Sequence, residues 1–172
     1  MELRKFKALN DVADTADYIA ILEAFDAIPQ LQELKELARR RGGIAPGKTV
    51  LDIGCGFGLE TLRLAQIVGP DGNICGLDKS DAFVAEAKRR ADAGNCRIQY
   101  QTGDAVNLPF EDESFDCVRA ERILIYLNDF KSAVAEMLRV LKPGGHLALI
   151  EPDFSTLTIN VTNRTLLRQV ID

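Results

Sequence analysis

The sequence predicts an α/β fold in which helices cover both faces of a parallel sheet. Short apolar runs alternate with amphipathic helical patterns five times, which is typical of a doubly wound sheet. A glycine loop directly follows the first of these runs, and the two together span Val50–Gly58. Right-handed crossovers between parallel strands favour the strand order 3-2-1-4-5, with a ligand cleft between strands 1 and 4.

Two helices are predicted ahead of the sheet, over Asp14–Ala27 and Gln30–Arg41. They are separated at Pro29, a residue that fits best in a first helical turn. We expect one domain (residues 1–172), in which residues 1–43 form a helical cover, residues 44–154 the sheet core and residues 155–172 a tail.

The elements of the core are predicted from local signals such as Ser80, the expected N-cap of a helix. Val50, Leu51 and Ile53 are typical of a strand that is buried on both faces. The other predicted elements are the helices Leu59–Val68 and Asp81–Ala93 and the strands Asn73–Asp78, Arg97–Thr102 and Phe115–Ala120. A helix stop and a turn are predicted at Lys142–Gly145, followed by a fifth strand that ends at Ile150.

The glycine loop contains Gly54, Gly56 and Gly58. A glycine has no Cβ, so a ligand can touch the backbone of the turn. The spacing is GxGxG, whereas a dinucleotide-binding loop reads GxGxxG and would place its last glycine at Leu59. Asp52 precedes the loop, and its carboxylate would repel a pyrophosphate but suit a ligand that carries an ammonium or sulfonium cation.

This strand, acidic residue and glycine loop resemble the first motif of the class I S-adenosylmethionine (SAM)-dependent methyltransferases, which have a Rossmann-like fold. Residues 103–118 are similar to the small-molecule branch of that family, methyltransferase type 11, which includes the quinone-biosynthesis C-methyltransferases. The resemblance implies SAM as the cofactor, S-adenosylhomocysteine as its product, and a binding loop that contains Asp52, Gly54, Cys55, Gly56 and Gly58.

Asp78 ends the second predicted strand, about 20 residues after the glycine loop. A carboxylate at this position can accept hydrogen bonds from both hydroxyls of a ribose. The resemblance therefore implies that Asp78 binds the ribose and that Lys79 lies beside the adenine. The alternative is that Asp78 is an acid at the start of the helix that follows Ser80.

The third predicted strand is followed by Gly103, Asp104 and Ala105. Asp104 is therefore expected at a carboxyl end of the sheet, where ligands of open α/β folds bind. The resemblance implies that Asp104 accepts a hydrogen bond from the adenine amino group and that Ala105 donates its backbone N–H to the ring. The alternative is that Gly-Asp is only a turn dipeptide.

The chain departs from the family pattern after the fourth strand. Where the family has asparagine or serine followed by Leu-His-His, this sequence reads AERILIY from Ala120 to Tyr126, so no histidine base carries over. Backbone groups near Ala120 and Glu121 can still meet the methionine part of SAM. The catalytic residues stay unknown, with Glu121 and Tyr126 as candidates and Arg122 on the substrate side. A solvated loop or a structural ion pair is the alternative for all three.

Composition and charge exclude several other classes of function. The 172-residue chain has a net charge of −5 and scattered basic residues, which argues against a nucleic-acid substrate. Its four cysteines have no CxxC pairing and are predicted to be core residues. His146 is the single histidine and is expected to be structural, so we expect no metal site. No apolar run reaches the ~20 residues of a membrane span and no signal sequence is recognised, so a cytoplasmic location is expected.

The resembled family continues after its fifth strand with a helix and an antiparallel hairpin. Ser155–Asp172 has room only for a short extended piece and one helix near Asn163–Ile171, so the strand Leu147–Ile150 is expected to lack its usual neighbours and to have an uncovered edge. Such an edge pairs readily with another chain. We therefore expect either a homodimer through this edge or a tail that folds back over it.

Three hypotheses of function follow from these observations. The first is a SAM-dependent methyltransferase that acts on a small-molecule acceptor. The second is a SAM-binding module without turnover, because the chain ends before the last strands of the family. The third is a nucleotide-dependent oxidoreductase, which the glycine spacing and Asp52 disfavour.

Overall fold

A computed structural model of the protein describes residues 12–152, with side chains from residue 19 onward. Five parallel strands form one sheet of order β3-β2-β1-β4-β5, which confirms the predicted fold class and strand order. The elements are α1 (Val12–Asp26), α2 (Pro29–Arg41), β1 (Thr49–Ile53), α3 (Leu59–Val68), β2 (Asn73–Asp78), α4 (Asp81–Ala93), β3 (Gln99–Thr102), β4 (Phe115–Glu121), a short 3-10 helix (Leu124–Tyr126), α5 (Phe130–Arg139) and β5 (Leu141–Ile150).

The two central strands, β1 and β4, carry the core on both faces of the sheet. Leu51 and Val118 are paired across the two strands and pack with Met137 of α5 on one face. Val50 packs with Leu64 of α3 on the other face. Since alternate residues of a strand point to opposite faces, both faces of β1 and β4 are buried, which explains their nearly continuous apolar sequence. This packing fixes the carboxyl ends of the strands, where the candidate site lies.

Several predicted boundaries are confirmed. The bounds of α3, β2 and α4 are those expected, and Ser80 Oγ caps α4 by accepting a hydrogen bond of 3.3 Å from the Phe83 amide. Helix α2 begins at Pro29, one residue earlier than predicted, where the absence of an N–H costs nothing in a first helical turn. Strand β3 begins at Gln99, two residues later than predicted.

The predicted turn at Lys142–Gly145 is wrong. Strand β5 begins at Leu141, opposite Phe115, and its pairing resumes at His146, opposite Cys117. The intervening residues form a bulge, in which Gly144 adopts φ +78°. Lysine, proline and two glycines are typical of a turn, but pairing with β4 on both sides keeps this segment in the sheet.

Strand β5 is the outer strand of the described sheet, and Leu149 on it is 40% exposed. Helix α2 packs against β5, and a Cβ placed on Gly42 would lie 3.2 Å from Ala148 Cβ. Residues 153–172 lie outside the described residues. The homodimer or the covering tail at this edge therefore stays a prediction.

The cysteines and the histidine lie in structural positions. Cys55, Cys75 and Cys117 are buried, as predicted for core residues, and Cys96 is half-buried; all four are free thiols. His146 lies beside Cys117, away from the carboxyl ends of the strands. Residues 12–152 contain no cluster of His, Cys, Asp and Glu suited to a metal ion, and none of the helices within them could cross a membrane.

Candidate functional site

A cavity of about 730 Å³ opens at the carboxyl ends of β1, β2, β3 and β4. Its position agrees with the rule that open α/β sheets bind ligands where the strand order reverses. Both catalytic candidates line this cavity, together with most of the residues that were predicted to bind the cofactor: Asp52, Gly54, Cys55, Gly56, Asp78, Lys79, Gly103, Asp104, Ala105, Glu121 and Tyr126.

The structure places Gly58 and Ala120 outside the cavity lining. Gly58 precedes α3 with φ +87°, and a Cβ there would lie 2.6 Å from the Tyr100 hydroxyl. Ala120 is fully buried within β4. Both positions therefore serve the packing around the site.

The glycine loop is held by backbone hydrogen bonds to β2. The Gly54 and Cys55 amides both donate to the Leu77 carbonyl, at 2.7 and 3.1 Å. Gly56 has φ +54°, and a Cβ there would have no atom within 4 Å. Since Gly56 also lines the cavity, a ligand can approach its backbone directly.

The Asp78 carboxylate is fixed at the edge of the cavity. Its Oδ2 accepts a hydrogen bond of 2.8 Å from the Gly56 amide, and its Oδ1 accepts one of 2.9 Å from the Ser80 amide. Burial raises the pKa of Asp78, and these backbone hydrogen bonds oppose the rise. Each oxygen has a second lone pair, so the carboxylate can accept further hydrogen bonds from a ligand.

The residues predicted to surround the adenine contact each other. Lys79 Nζ lies 2.8 Å from Asp104 Oδ2, and this hydrogen bond lowers the pKa of Asp104. The Lys79 side chain is 81% exposed. The pair therefore forms a solvated rim of the cavity. Beside it, the Gly103 amide donates a hydrogen bond to the Asp78 carbonyl.

A buried arginine that was not among the predicted site residues, Arg119, lies on the floor of the cavity. Arg119 of β4 donates to Asp52 Oδ1 at 2.7 Å and to Glu121 Oε2 at 2.9 Å. Burial raises the pKa of Asp52; Arg119 opposes this rise, whereas the nearby carboxylates of Glu60 and Glu121 add to it. A signal was present in the sequence, because a charged residue inside an apolar central strand requires a buried partner.

Arg119 belongs to a buried ionic chain that joins the helical cover to the sheet. Lys35 Nζ of α2 lies 2.8 Å from Asp26 Oδ1 and 3.1 Å from Glu121 Oε2, and Arg63 of α3 also binds Asp26. We define the buried ionic chain by its members in order of contact: Arg63, Asp26, Lys35, Glu121, Arg119 and Asp52.

Of the two catalytic candidates, Glu121 is occupied by ion pairs. Its carboxylate contacts Lys35 and Arg119, and Arg122 Nη2 lies 3.2 Å from its Oε1. This arrangement fits the alternative given above for Glu121 and Arg122, namely that they form a structural ion pair. Tyr126 lies in the short 3-10 helix and lines the cavity wall beside Ile123 and Leu127.

The charge of the cavity favours a cationic ligand. Seven carboxylate side chains and four cationic side chains line it, so acids are in excess. Among the described residues, three carboxylate oxygens of the cavity lining are buried and have no hydrogen-bond partner: Asp52 Oδ2, Glu60 Oε2 and Glu121 Oε1. A buried carboxylate oxygen is costly without a partner, so these atoms favour a ligand with N–H donors.

The sequence of this site matches a known family. The family model described as a methyltransferase domain matches residues 50–145, more than half of the chain. The chain belongs to the methyltransferase domain family. This methyltransferase domain is 31% identical over 159 residues to a demethylmenaquinone methyltransferase of Bacillus cytotoxicus, and the match covers 91% of this chain and 67% of that relative.

Solved structures share the fold of this domain. The cyclase SpnF is 35% identical, with a TM-score of 0.65 over 69% of this chain and 44% of that one. A SAM-dependent methyltransferase from Aquifex aeolicus has a TM-score of 0.65 over 88% of this chain and 73% of that one; at 23% identity this likeness concerns the fold alone. This methyltransferase domain spans about half the length of several curated relatives that it matches.

Proposed function

We propose that this methyltransferase domain binds SAM in the cavity and transfers its methyl group to a small-molecule acceptor. The observation that carries the proposal is the open backbone of Gly56 beside the fixed carboxylate of Asp78, in a cavity with an excess of acids. This combination suits a ligand with a ribose and a net positive charge. It does not suit a pyrophosphate, which the acids would repel.

The residues present fit SAM in three parts. Asp78 would accept hydrogen bonds from the ribose hydroxyls, through the lone pairs that Gly56 and Ser80 leave free. Asp104 and Ala105 would bind the adenine, beside Lys79 on the rim. The amino-acid part would lie along the glycine loop, at Gly54, Cys55 and Asp52, and near Glu121, with Gly58 and Ala120 supporting the loop and the strand end.

When bound, SAM would supply a methyl group for transfer from its sulfonium sulfur to a nucleophile, with S-adenosylhomocysteine as the leaving group. The contribution of the chain is alignment and the exclusion of water, which together can lower a barrier by roughly 7–11 kcal/mol at best. Leu22 and Phe83 line the cavity and would help to exclude water there. Because Glu121 is held by three cations, Tyr126 is the better-placed candidate to hold or move an acceptor proton.

A ring-shaped, largely apolar acceptor is supported by the cavity wall. Ile123, Leu127 and Tyr126 form an apolar side next to the strand ends. The relative from Bacillus cytotoxicus is named for demethylmenaquinone, a quinone, and this name supports the same class of acceptor. We propose a small quinone-like acceptor, no nucleic-acid substrate and a cytoplasmic location.

Binding without turnover is the alternative to test, because a shared fold does not determine the reaction. One similar structure is named a cyclase, which illustrates this point. Calorimetry with SAM, S-adenosylhomocysteine and NAD tests the binding. We expect the first two to bind and NAD not to bind; NAD binding without SAM binding would overturn the proposal.

Turnover needs a separate measurement. SAM with a labelled methyl group is incubated with demethylmenaquinone analogues and with a panel of small phenols, amines and thiols. Label in a quinone-type product, lost in Tyr126→Phe and with boiled protein, supports the proposed acceptor class. SAM binding with no labelled product from any acceptor would support the binding module instead.

A further inference from the structure

Glu60 is a buried acid in the cavity lining to which the proposed SAM contacts assign no role. It lies in the first turn of α3, immediately after the loop, and is 6% exposed. Its Oε1 accepts a hydrogen bond of 2.8 Å from Arg39 Nη1 of α2. Glu60 therefore links the helical cover to the helix that begins at the glycine loop.

The second oxygen of Glu60 accepts no hydrogen bond from the described part of the chain. Oε2 is buried, and its ion-pair partner Arg63 Nη1 lies 3.7 Å away, too far for a hydrogen bond. Glu60 lines the cavity. A buried carboxylate oxygen of this kind is costly unless a donor reaches it, so its position in the cavity wall favours a ligand donor.

Asp52 presents a second oxygen of the same kind. Arg119 occupies Oδ1 of Asp52, whereas Oδ2 is buried and has no partner among residues 12–152. Glu60 and Asp52 line the same cavity and are close enough to influence each other electrostatically. Two carboxylate oxygens without a hydrogen-bond partner in one cavity match a compact cation with several N–H groups, which is the chemistry of a primary ammonium. The third such oxygen of the lining, Glu121 Oε1, lies 3.2 Å from Arg122 Nη2.

We propose that Glu60, together with Asp52, binds the primary ammonium group of the amino-acid part of the cofactor, and that Arg39 is a positioning residue that orients Glu60. This inference rests on the proposed SAM site. A sulfonium has no N–H donor and cannot satisfy these oxygens, whereas an ammonium offers three donors. The helical cover thus contributes to recognition of the ligand through the contact between Arg39 and Glu60.

The test compares two ligands that differ only in this ammonium: S-adenosylhomocysteine and its deamino analogue. Dissociation constants are measured by calorimetry for the wild-type chain, Glu60→Gln and Glu36→Gln. Glu36→Gln is the matched control, because Glu36 is the other carboxylate partner of Arg39 but is half-exposed and lies outside the cavity lining. Circular dichroism confirms that each variant is folded.

We expect the wild-type chain to prefer S-adenosylhomocysteine over the deamino analogue, and Glu60→Gln to reduce this preference roughly 10-fold, the loss expected for one charge-assisted hydrogen bond. Glu36→Gln should keep the wild-type preference. If Glu60→Gln does not fold, Glu60→Asp keeps the charge but shortens the side chain, and a reduced preference is again expected.

The outcomes separate the two proposals. Binding of S-adenosylhomocysteine by the wild type, with an equal preference in wild type and Glu60 variants, would overturn the role of Glu60 and leave the SAM site intact. A folded wild-type chain that binds neither ligand would overturn the proposed function, and the ammonium site with it.

Discussion

The Gly56 amide donates a hydrogen bond of 2.8 Å to Asp78 Oδ2, which joins the glycine loop after β1 to the end of β2. The acid proposed to bind the ribose therefore also shapes the loop proposed to bind the rest of the ligand. Binding and local folding share one carboxylate, so variants at Asp78 should affect both.

Asp78→Asn should weaken SAM binding by about 1.5–3 kcal/mol, because a charge-assisted acceptor of the ribose hydroxyls becomes a neutral amide. Asp78→Ala should weaken binding further and lower the free energy of unfolding by about 1–3 kcal/mol, because the Gly56 and Ser80 amides lose their acceptors. Calorimetry and urea denaturation measure the two effects. Asp81→Asn is the control, since Asp81 is an exposed acid that bonds Thr102 outside the cavity lining.

Gly56 and Gly144 form a matched pair for testing the loop. Both have positive φ, and a Cβ at either position would meet no atom within 4 Å. Alanine should therefore cost each site a similar backbone strain, roughly 1–2 kcal/mol of stability. Only Gly56→Ala should also abolish SAM binding, because its Cβ would project where the ligand approaches. Equal SAM affinity in the two variants would place the ligand elsewhere.

Asp26 should make the stability depend on pH in the acidic range. Burial would raise the pKa of Asp26, but hydrogen bonds from Arg63 and Lys35 outweigh it and lower the pKa from 3.8 to about 2. A lowered pKa stabilises the fold above the unfolded value of 3.8, and this stabilisation is lost as the pH falls through about 2.

Comparison with Asp26→Asn isolates this contribution. The stability difference between wild type and variant should shrink by about 2 kcal/mol between pH 5 and pH 2. Chemical denaturation at several pH values measures it, and other titrating groups cancel in the difference. A difference that stays constant over this range would show that the ion pairs of Asp26 do not form in solution.

Lys35 and Glu121 should be strongly coupled. Removal of the buried ammonium by Lys35→Met should cost about 3 kcal/mol, since Asp26 and Glu121 stay buried with one cation fewer. The double variant with Glu121→Gln should cost about 1–3 kcal/mol less than the sum of the single variants. The more exposed pair Arg89 and Glu86 is the control cycle, with an expected coupling below about 1 kcal/mol. Additive costs at Lys35 and Glu121 would contradict a direct ion pair.

The sequence predicted the elements that local signals define. Ser80 marks the start of α4, and this boundary agrees with the structure. Pro29 marks the break between the two N-terminal helices and lies in the first turn of α2. The residues of the bulge in β5 are turn formers, so the sequence alone predicts a turn there. What keeps Leu141 and His146 in one strand is their pairing with β4, a non-local interaction that composition does not record.

The candidate site was predictable to the same extent. Asp52, Asp78 and Asp104 each follow or end a strand, so their meeting at one edge of the sheet follows from topology. The contacts of Lys35 with Glu121 and of Arg39 with Glu60 could not be predicted, because each joins residues on separate elements. Local periodicity can place such charges on a helix, but it does not show whether a charged side chain faces a buried ion-pair partner or solvent.

The buried ionic chain bears on how this domain can be recombined. A minimal core that begins at Gly43 retains the whole sheet. It would remove Lys35 and Arg39 while retaining Glu121 and Glu60, the buried acids with which those two residues pair. Helices α1 and α2 are therefore not an exchangeable attachment. A chimaera that takes them from another protein must also bring a basic residue opposite each of these two acids.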